Sequence, residues 1–159
     1  MVEGVRRAVD ADVVRLAELC RMAVTELAQT KGGPVFVRRE ARAEPVETSL
    51  AAAVSDPAQL VVAGMIDDAV VAYAAVRVEP LHDGDRLAVV TDLYVEPEAR
   101  EIGLGEAMMN HVLDWCREQR CLGVDSIALP GNRATKNFFE SMGLVARAII
   151  VHRRLETDP

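Results

Sequence analysis

Between Leu60 and Val95 the chain carries three apolar runs, LVVAGM, VVAYAAVRV and RLAVVTDLYV, parted by IDDA and EPLHDGD. Val, Leu and Tyr favour extended chain, while the Asp, Gly and Pro of the breaks favour turns. Short connections join antiparallel neighbours, so the runs predict a three-strand antiparallel meander. Helical patterns stand on either side of it. Val13, Leu16, Ala17, Cys20, Ala23, Val24 and Leu27 recur at helical spacing behind the N-capping DAD at 10–12. Leu104, Ala107, Met108, Val112 and Trp115 do the same behind Gly103.

The remaining segments fill in the order. Val5 to Val9 predicts a first strand, KGGPVF breaks the first helix, and VRREARAEP runs basic and irregular until Pro45 opens a short helix to about Val54. Beyond the meander come a helix from Leu104 to about Gln119, a strand VDSIAL, a loop PGN and a helix from about Arg133 to Met142 stopped by Gly143. A β-rich tail, LVARAIIVHRRL, follows. The order β-α-α-β-β-β-α-β-α-β predicts an α/β (α+β) fold in one domain over residues 1–159, with a mixed, mostly antiparallel central sheet and helices on both faces. The tail suits either strand pairing in a homodimer or a buried strand within one chain.

Several function classes fall away. With 25 acidic against 18 basic residues, net charge −7, and one Trp, two Tyr and three Phe for stacking, nucleic acid is not an expected partner. No apolar run is long enough to span a membrane and MVEGVRRAVDADVV lacks a signal-peptide core, so no membrane partner and a cytoplasmic location are expected. Cys20, Cys116 and Cys121 have neither CxxC spacing nor an even count, and read as buried free thiols. His82, His111 and His152 have no ligand partner at metal spacing, so no metal is expected.

The chemistry concentrates in REIGLGEAMM, residues 100–109. Here a strand hands over to a helix whose first N–H groups lack intrahelical partners and whose dipole attracts anions. Gly103 and Gly105 remove Cβ atoms where a ligand approaches the backbone, and Arg100 offers a charge. A tight turn ahead of a core helix explains the same residues. Two other phosphate loops are excluded: Met108 stands where a dinucleotide fingerprint needs its third glycine, and no GK[ST] follows.

The surroundings of the loop add weight. DLYVEPEAREIGLGEAMM resembles the R-x-x-G-x-G signature of the GNAT superfamily of acyl-CoA-dependent N-acetyltransferases, and NRATKNFFESMGL resembles its second signature. The resemblance covers nearly the whole chain and is strongest over 87–145. It implies acetyl-CoA as co-substrate and an amine acceptor, with splayed parallel strands at the coenzyme site. It also implies that backbone amides of Glu101, Ile102, Gly103, Leu104, Gly105 and Glu106, with Arg100, hold the pyrophosphate. The pantetheine arm would run along Leu93, Tyr94 and Val95 and meet Asn132. Phe139 departs from the pattern, standing where many similar proteins have a Tyr that protonates the leaving thiolate; Glu101 and Ile102 depart from the usual basic or small residues.

Catalysis needs a neutral amine. An alkyl amine of pKa near 10.4 is only about 0.1% neutral at about pH 7.4, a deficit of roughly 4 kcal/mol. Strict alternation in VVTDLYV puts Val89, Thr91, Leu93 and Val95 on one face and Val90, Asp92 and Tyr94 on the other, barring a bulge. Asp92, a carboxylate in an apolar strand, reads as a base or amine-orienting group, or equally as a strand-end Asp that is solvated or paired with an arginine. Tyr94 reads as a substitute acid or as a packed ring. Arg38, Arg39 and Arg42 read as an anchor for an acidic acceptor or as a solvated basic loop. A catalytically silent acyl-CoA-binding module and an interaction domain without coenzyme are the other readings.

Overall fold

Strand pairing follows the apolar runs. In a computed structural model describing residues 2–156, β1 (Glu3–Arg7), β2 (Gln59–Ile66), β3 (Ala69–Pro80), β4 (Arg86–Val95) and β5 (Gly123–Ser126) lie side by side in that order. The first four are antiparallel, and β5 runs parallel to β4. The helices are α1 (Val13–Ala28), α2 (Gly33–Arg39), α3 (Val46–Ser55), α4 (Leu104–Glu118) and α5 (Arg133–Ser141). Among the described residues no helix is long and apolar enough to cross a membrane.

The pleat sorts the sheet into two cores. Val62, Ala74, Val76 and Val90 face Met108, Met109 and Val112 of α4 and Phe139 of α5. Val61, Tyr73, Ala75 and Tyr94 face Leu16 and Leu19 of α1 and Leu50 of α3. Gly64 brings α4 close to the sheet: a Cβ there would lie 2.9 Å from Ala72 Cβ and 3.1 Å from Met108 Sδ. The three cysteines are free, Cys20 and Cys116 buried, and burial pushes the Cys116 thiol up to about 12.

Five expectations need correction. KGGPVF does more than break α1: Gly32, at φ 85°, caps a new helix with Pro34 in its first turn, so the segment after it is α2 rather than irregular chain. The first strand begins earlier than Val5 and ends at Arg7, and β5 stops at Ser126. The tail is not a strand, since residues 144–156 lack regular structure and those from 145 onward are exposed. Finally, β4 is bulged. Ala75 pairs with Asp92 but Val76 with Val90, leaving Thr91 as the extra residue. Val90 therefore packs on the α4 side with Leu93 and Val95, while Asp92 and Tyr94 point to the α1 side.

A buried carboxylate fastens β1 to α1. Asp12 accepts hydrogen bonds from Arg6 Nη1 (2.7 Å) and Nη2 (2.8 Å) and from the Val9 N–H (2.8 Å). The Arg6 hydrogen bonds, helped by Val9, hold its carboxyl below the usual range. Asp12→Ala should cost about 1–3 kcal/mol at neutral pH, read from urea unfolding. A lowered folded pKa means full stabilisation above the unfolded value and loss as pH falls through the folded one. The advantage of the parent over Asp12→Asn should thus shrink as pH drops below about 3.9.

Candidate active site

The β4–β5 ladder is short. It runs from Leu87 opposite Gly123 to Val90 opposite Ser126, where Ser126 Oγ–H donates to the Val90 carbonyl at 3.2 Å. Beyond that pair β4 continues to Val95 with β3 alongside and, among the described residues, no strand on its other flank. Past Val90 the flank of Leu93, Tyr94 and Val95 on the β5 side therefore has no strand partner among the described residues.

From the end of β4 the chain makes a 3-10 turn at Pro97–Ala99 and enters the loop ahead of α4. Glu101 and Gly103 hold positive φ, 67° and 91°, and Gly103 is the N-cap of α4. None of the N–H groups of residues 101–106 has a hydrogen-bond acceptor among the described residues; the first helical bond begins at Ala107 N–H, which donates to the Gly103 carbonyl at 3.0 Å. Six consecutive free donors at the positive end of a helix dipole form an anion cradle. A Cβ on Gly103 would meet nothing within 4 Å, so the loop is open there. Gly105 has another neighbour: a Cβ on it would sit 3.5 Å from the Phe138 ring, so this glycine faces α5. Glu101 and Glu106 are exposed at the rim, and Ile102 packs on the α4-side core.

Arg100 is committed elsewhere. Its Nε donates to the Val95 carbonyl (2.8 Å), its Nη2 to Glu26 Oε2 of α1 (3.0 Å), and its guanidinium lies 5.5 Å from the centre of the Tyr94 ring. The Tyr94 hydroxyl donates to Glu26 Oε1 at 2.9 Å. Burial first, and then the Glu26 carboxylate, push this phenol up to about 12. Tyr94, Glu26 and Arg100 thus tie the end of β4, the loop and α1 together. The Tyr94 side chain points into the α1 layer, while its backbone belongs to the stretch of β4 that β5 does not pair with.

Asp92 occupies a polar knot in the same layer. Arg42 Nε donates to both its oxygens at 3.1 and 3.0 Å, Thr91 Oγ1 donates to Oδ1 at 2.6 Å, and Tyr73 Oη donates to Oδ2 at 2.7 Å. Arg42 also reaches Ser49 Oγ at 2.6 Å. The Arg42 and Asp92 side chains are 12% and 8% exposed. Burial, together with the Asp92 charge, drives the Tyr73 phenol well above its usual value, so it stays a donor. Of the two readings of Asp92, the arginine partner is the arrangement seen, and both of its oxygens are already engaged by donors. Arg42 is accordingly no solvated loop charge, whereas Arg38 and Arg39 are exposed.

Asn132 caps α5, its Oδ1 accepting from Thr135 N–H at 3.3 Å. Phe139 is 6% exposed in the α4-side core, 5.8 Å centre to centre from Phe138. Opposite them the α1–α2 turn meets the β5–α5 loop: a Cβ on Gly131 would lie 2.8 Å from the Lys31 nitrogen, and one on Gly32 would lie 3.5 Å from Leu129. Sequence reasoning missed Glu26 and Tyr73 and left Arg42 undecided. Nothing local links position 42 or 26 to β4, because each contact spans 50 or more residues.

The model of the acetyltransferase (GNAT) family fits residues 25–144. The chain belongs to that family. Solved structures share its fold at low identity. A mutant of the BH1408 protein from Bacillus halodurans has a TM-score of 0.81 at 17% identity, over 98% of this chain and 100% of that one. The ribosomal-protein-alanine N-acetyltransferase of Brucella melitensis biovar Abortus 2308 has 0.68 at 17%, over 98% and 100%. The aminoglycoside acetyltransferase meta-AAC0020 from an uncultured soil metagenomic sample, in complex with sisomicin, has 0.71 at 16%, over 98% and 97%. None of the curated proteins matches the chain.

Proposed function

We propose that this GNAT protein transfers the acetyl group of acetyl-CoA to a primary amine by direct attack on the thioester. The observation that carries this reading is the run of unpartnered amides at 101–106, set at the foot of the open β4 edge. Amides and dipole suit a pyrophosphate. An extended pantetheine arm can then add to the free flank of Leu93, Tyr94 and Val95, towards Asn132, as the resemblance implies. An N–H near Leu93 or Tyr94 faces the oxyanion as the amine nitrogen bonds to the carbonyl carbon. Collapse of the tetrahedral adduct breaks the C–S bond, and the amine proton leaves to the medium.

Phe139 offers no proton to the departing sulfur. A thiol pKa near 8.5 makes thiolate a tolerable leaving group, and a positioned acid adds only about 10²–10⁴-fold. Asp92, with both oxygens engaged, acts in this reading as a positioning residue that holds the bulge through Arg42 and Tyr73. The glutamates at the rim of the loop weaken coenzyme binding without changing its mode.

Calorimetry with acetyl-CoA should give saturable binding, and release of free thiol should appear with at least one member of a panel of primary amines. Absence of binding at millimolar acetyl-CoA overturns the reading. Binding without thiol release across the panel favours a silent acyl-CoA-binding module, for which Phe139 and the engaged Asp92 are the supporting observations.

A further inference from the structure

At the far side of the sheet from β5, one strand stops short of its neighbour. β1 ends at Arg7, opposite Val62, whereas β2 begins at Gln59, so Gln59, Leu60 and Val61 have no ladder partner in β1. The outer face of α4 passes beside this corner, with Ala107, His111, Trp115 and Glu118 recurring at helical spacing. Strand and helix enclose a groove of about 480 Å³. Leu60 and Trp115 form its floor, Arg7 its strand wall, and His111 and Glu118 its helix wall.

Three of these groups have unused bonding capacity. Trp115 is 7% exposed, and among the described residues its indole N–H, a donor only, meets no acceptor. That N–H is not sealed from solvent either, and the groove is where Trp115 reaches solvent. Arg7 and Glu118 are exposed and, among the described residues, neither makes an ion pair, with the other or with any third side chain. Asp114 beside them is already paired, accepting from Arg117 Nη1 at 2.9 Å. The groove thus carries an unpaired cation on one wall, an unpaired carboxylate on the other and an unanswered donor in its floor.

We propose that this groove binds a free α-amino acid with an apolar side chain. The ligand carboxylate accepts from the Arg7 guanidinium and the Trp115 N–H, the ammonium pairs with Glu118, and the side chain lies on Leu60 and Ala107. A ligand of one sign fits worse. An anion alone faces Glu118 and Asp114 on the helix wall, while a cation alone faces Arg7 and leaves the indole N–H without an acceptor. The volume is that of a small-molecule site, and the polar groups are few and convergent. The groove lies on the β1–β2 side of the sheet, away from the flank of β4 assigned to the coenzyme, so the proposal stands independently of coenzyme binding.

Trp115 is the only tryptophan of the chain, so its fluorescence reads the groove directly. Titration of the full chain with L-leucine should change the emission saturably, with a dissociation constant in the millimolar range. Isocaproate, which lacks the ammonium, and isoamylamine, which lacks the carboxylate, should each bind at least about tenfold more weakly. Arg7→Gln and Glu118→Gln should each weaken leucine binding by about tenfold and, as surface substitutions, leave the melting temperature within about two degrees of the parent. If a variant does not fold, the analogue series on the parent still decides. No change in emission up to tens of millimolar leucine, equal binding of the acid or the amine alone, or parent-like leucine affinity in either folded variant each overturns the proposal.

Discussion

Asp92→Ala is expected to destabilise the protein by about 3–5 kcal/mol, because it strands a buried guanidinium without its counter-ion. Arg42 is 12% exposed and, among the described residues, makes its ion pair with Asp92 alone, so none of their other carboxylates takes over. At this chain length about 2–4 °C of melting temperature goes with each kcal/mol, so the loss should amount to roughly 10 °C. The Tyr73 hydroxyl, 1% exposed as a residue, loses its acceptor at the same time. Removing both charges, as in Arg42→Met with Asp92→Leu, should recover most of the loss, since a buried pair repays little more than its own desolvation. A melting point for Asp92→Ala within a degree of the parent would show that the knot is not what holds β4 to α3. Asp92→Asn separates position from proton transfer. A lower kcat with an unchanged pH–rate profile fits a positioning role, and loss of one limb of the profile fits a base.

Gly103→Glu should raise the acetyl-CoA dissociation constant by about a hundredfold, near 2.7 kcal/mol. The added carboxylate would stand among the free N–H groups of 101–106 and compete with the phosphates for them. The substitution also forces a Cβ into the left-handed region at φ 91°, which costs about 1–2 kcal/mol of folding stability rather than binding. Gly103→Asn isolates the two effects, because Asn tolerates that backbone and adds no charge. Its affinity should fall by less than about tenfold, just over 1 kcal/mol. Calorimetry on folded material reads both, and parent-like affinity in the glutamate variant would remove the loop from the coenzyme site.

The meander, α1, α3, α4 and α5 were legible because their apolar periods are local properties of the chain. The glycine-capped start of α4 was legible for the same reason: orphan N–H groups follow from any helix that begins at a positive-φ glycine. The segment 33–39 was not. Gly32 and Pro34 end one helix and begin another with the same residues, and the sequence alone does not separate the two. The face of Val90 was misassigned by a single inserted residue. Thr91 shifts the register against β3, and every side chain on one side of it changes layer relative to strict alternation.

The three-strand meander, the helices on either side of it and the glycine-capped helix start with its unpartnered N–H groups are matters of local pattern, and the sequence by itself determined them. The tertiary structure decided what the polar side chains do. It turned Arg100 towards Glu26 and Tyr94, joined Arg42 to Asp92 across 50 residues, and left the arm after Gly143 outside the core. Backbone periodicity is read from neighbours along the chain, whereas a charge finds its partner through space, and only the folded sheet sets that distance.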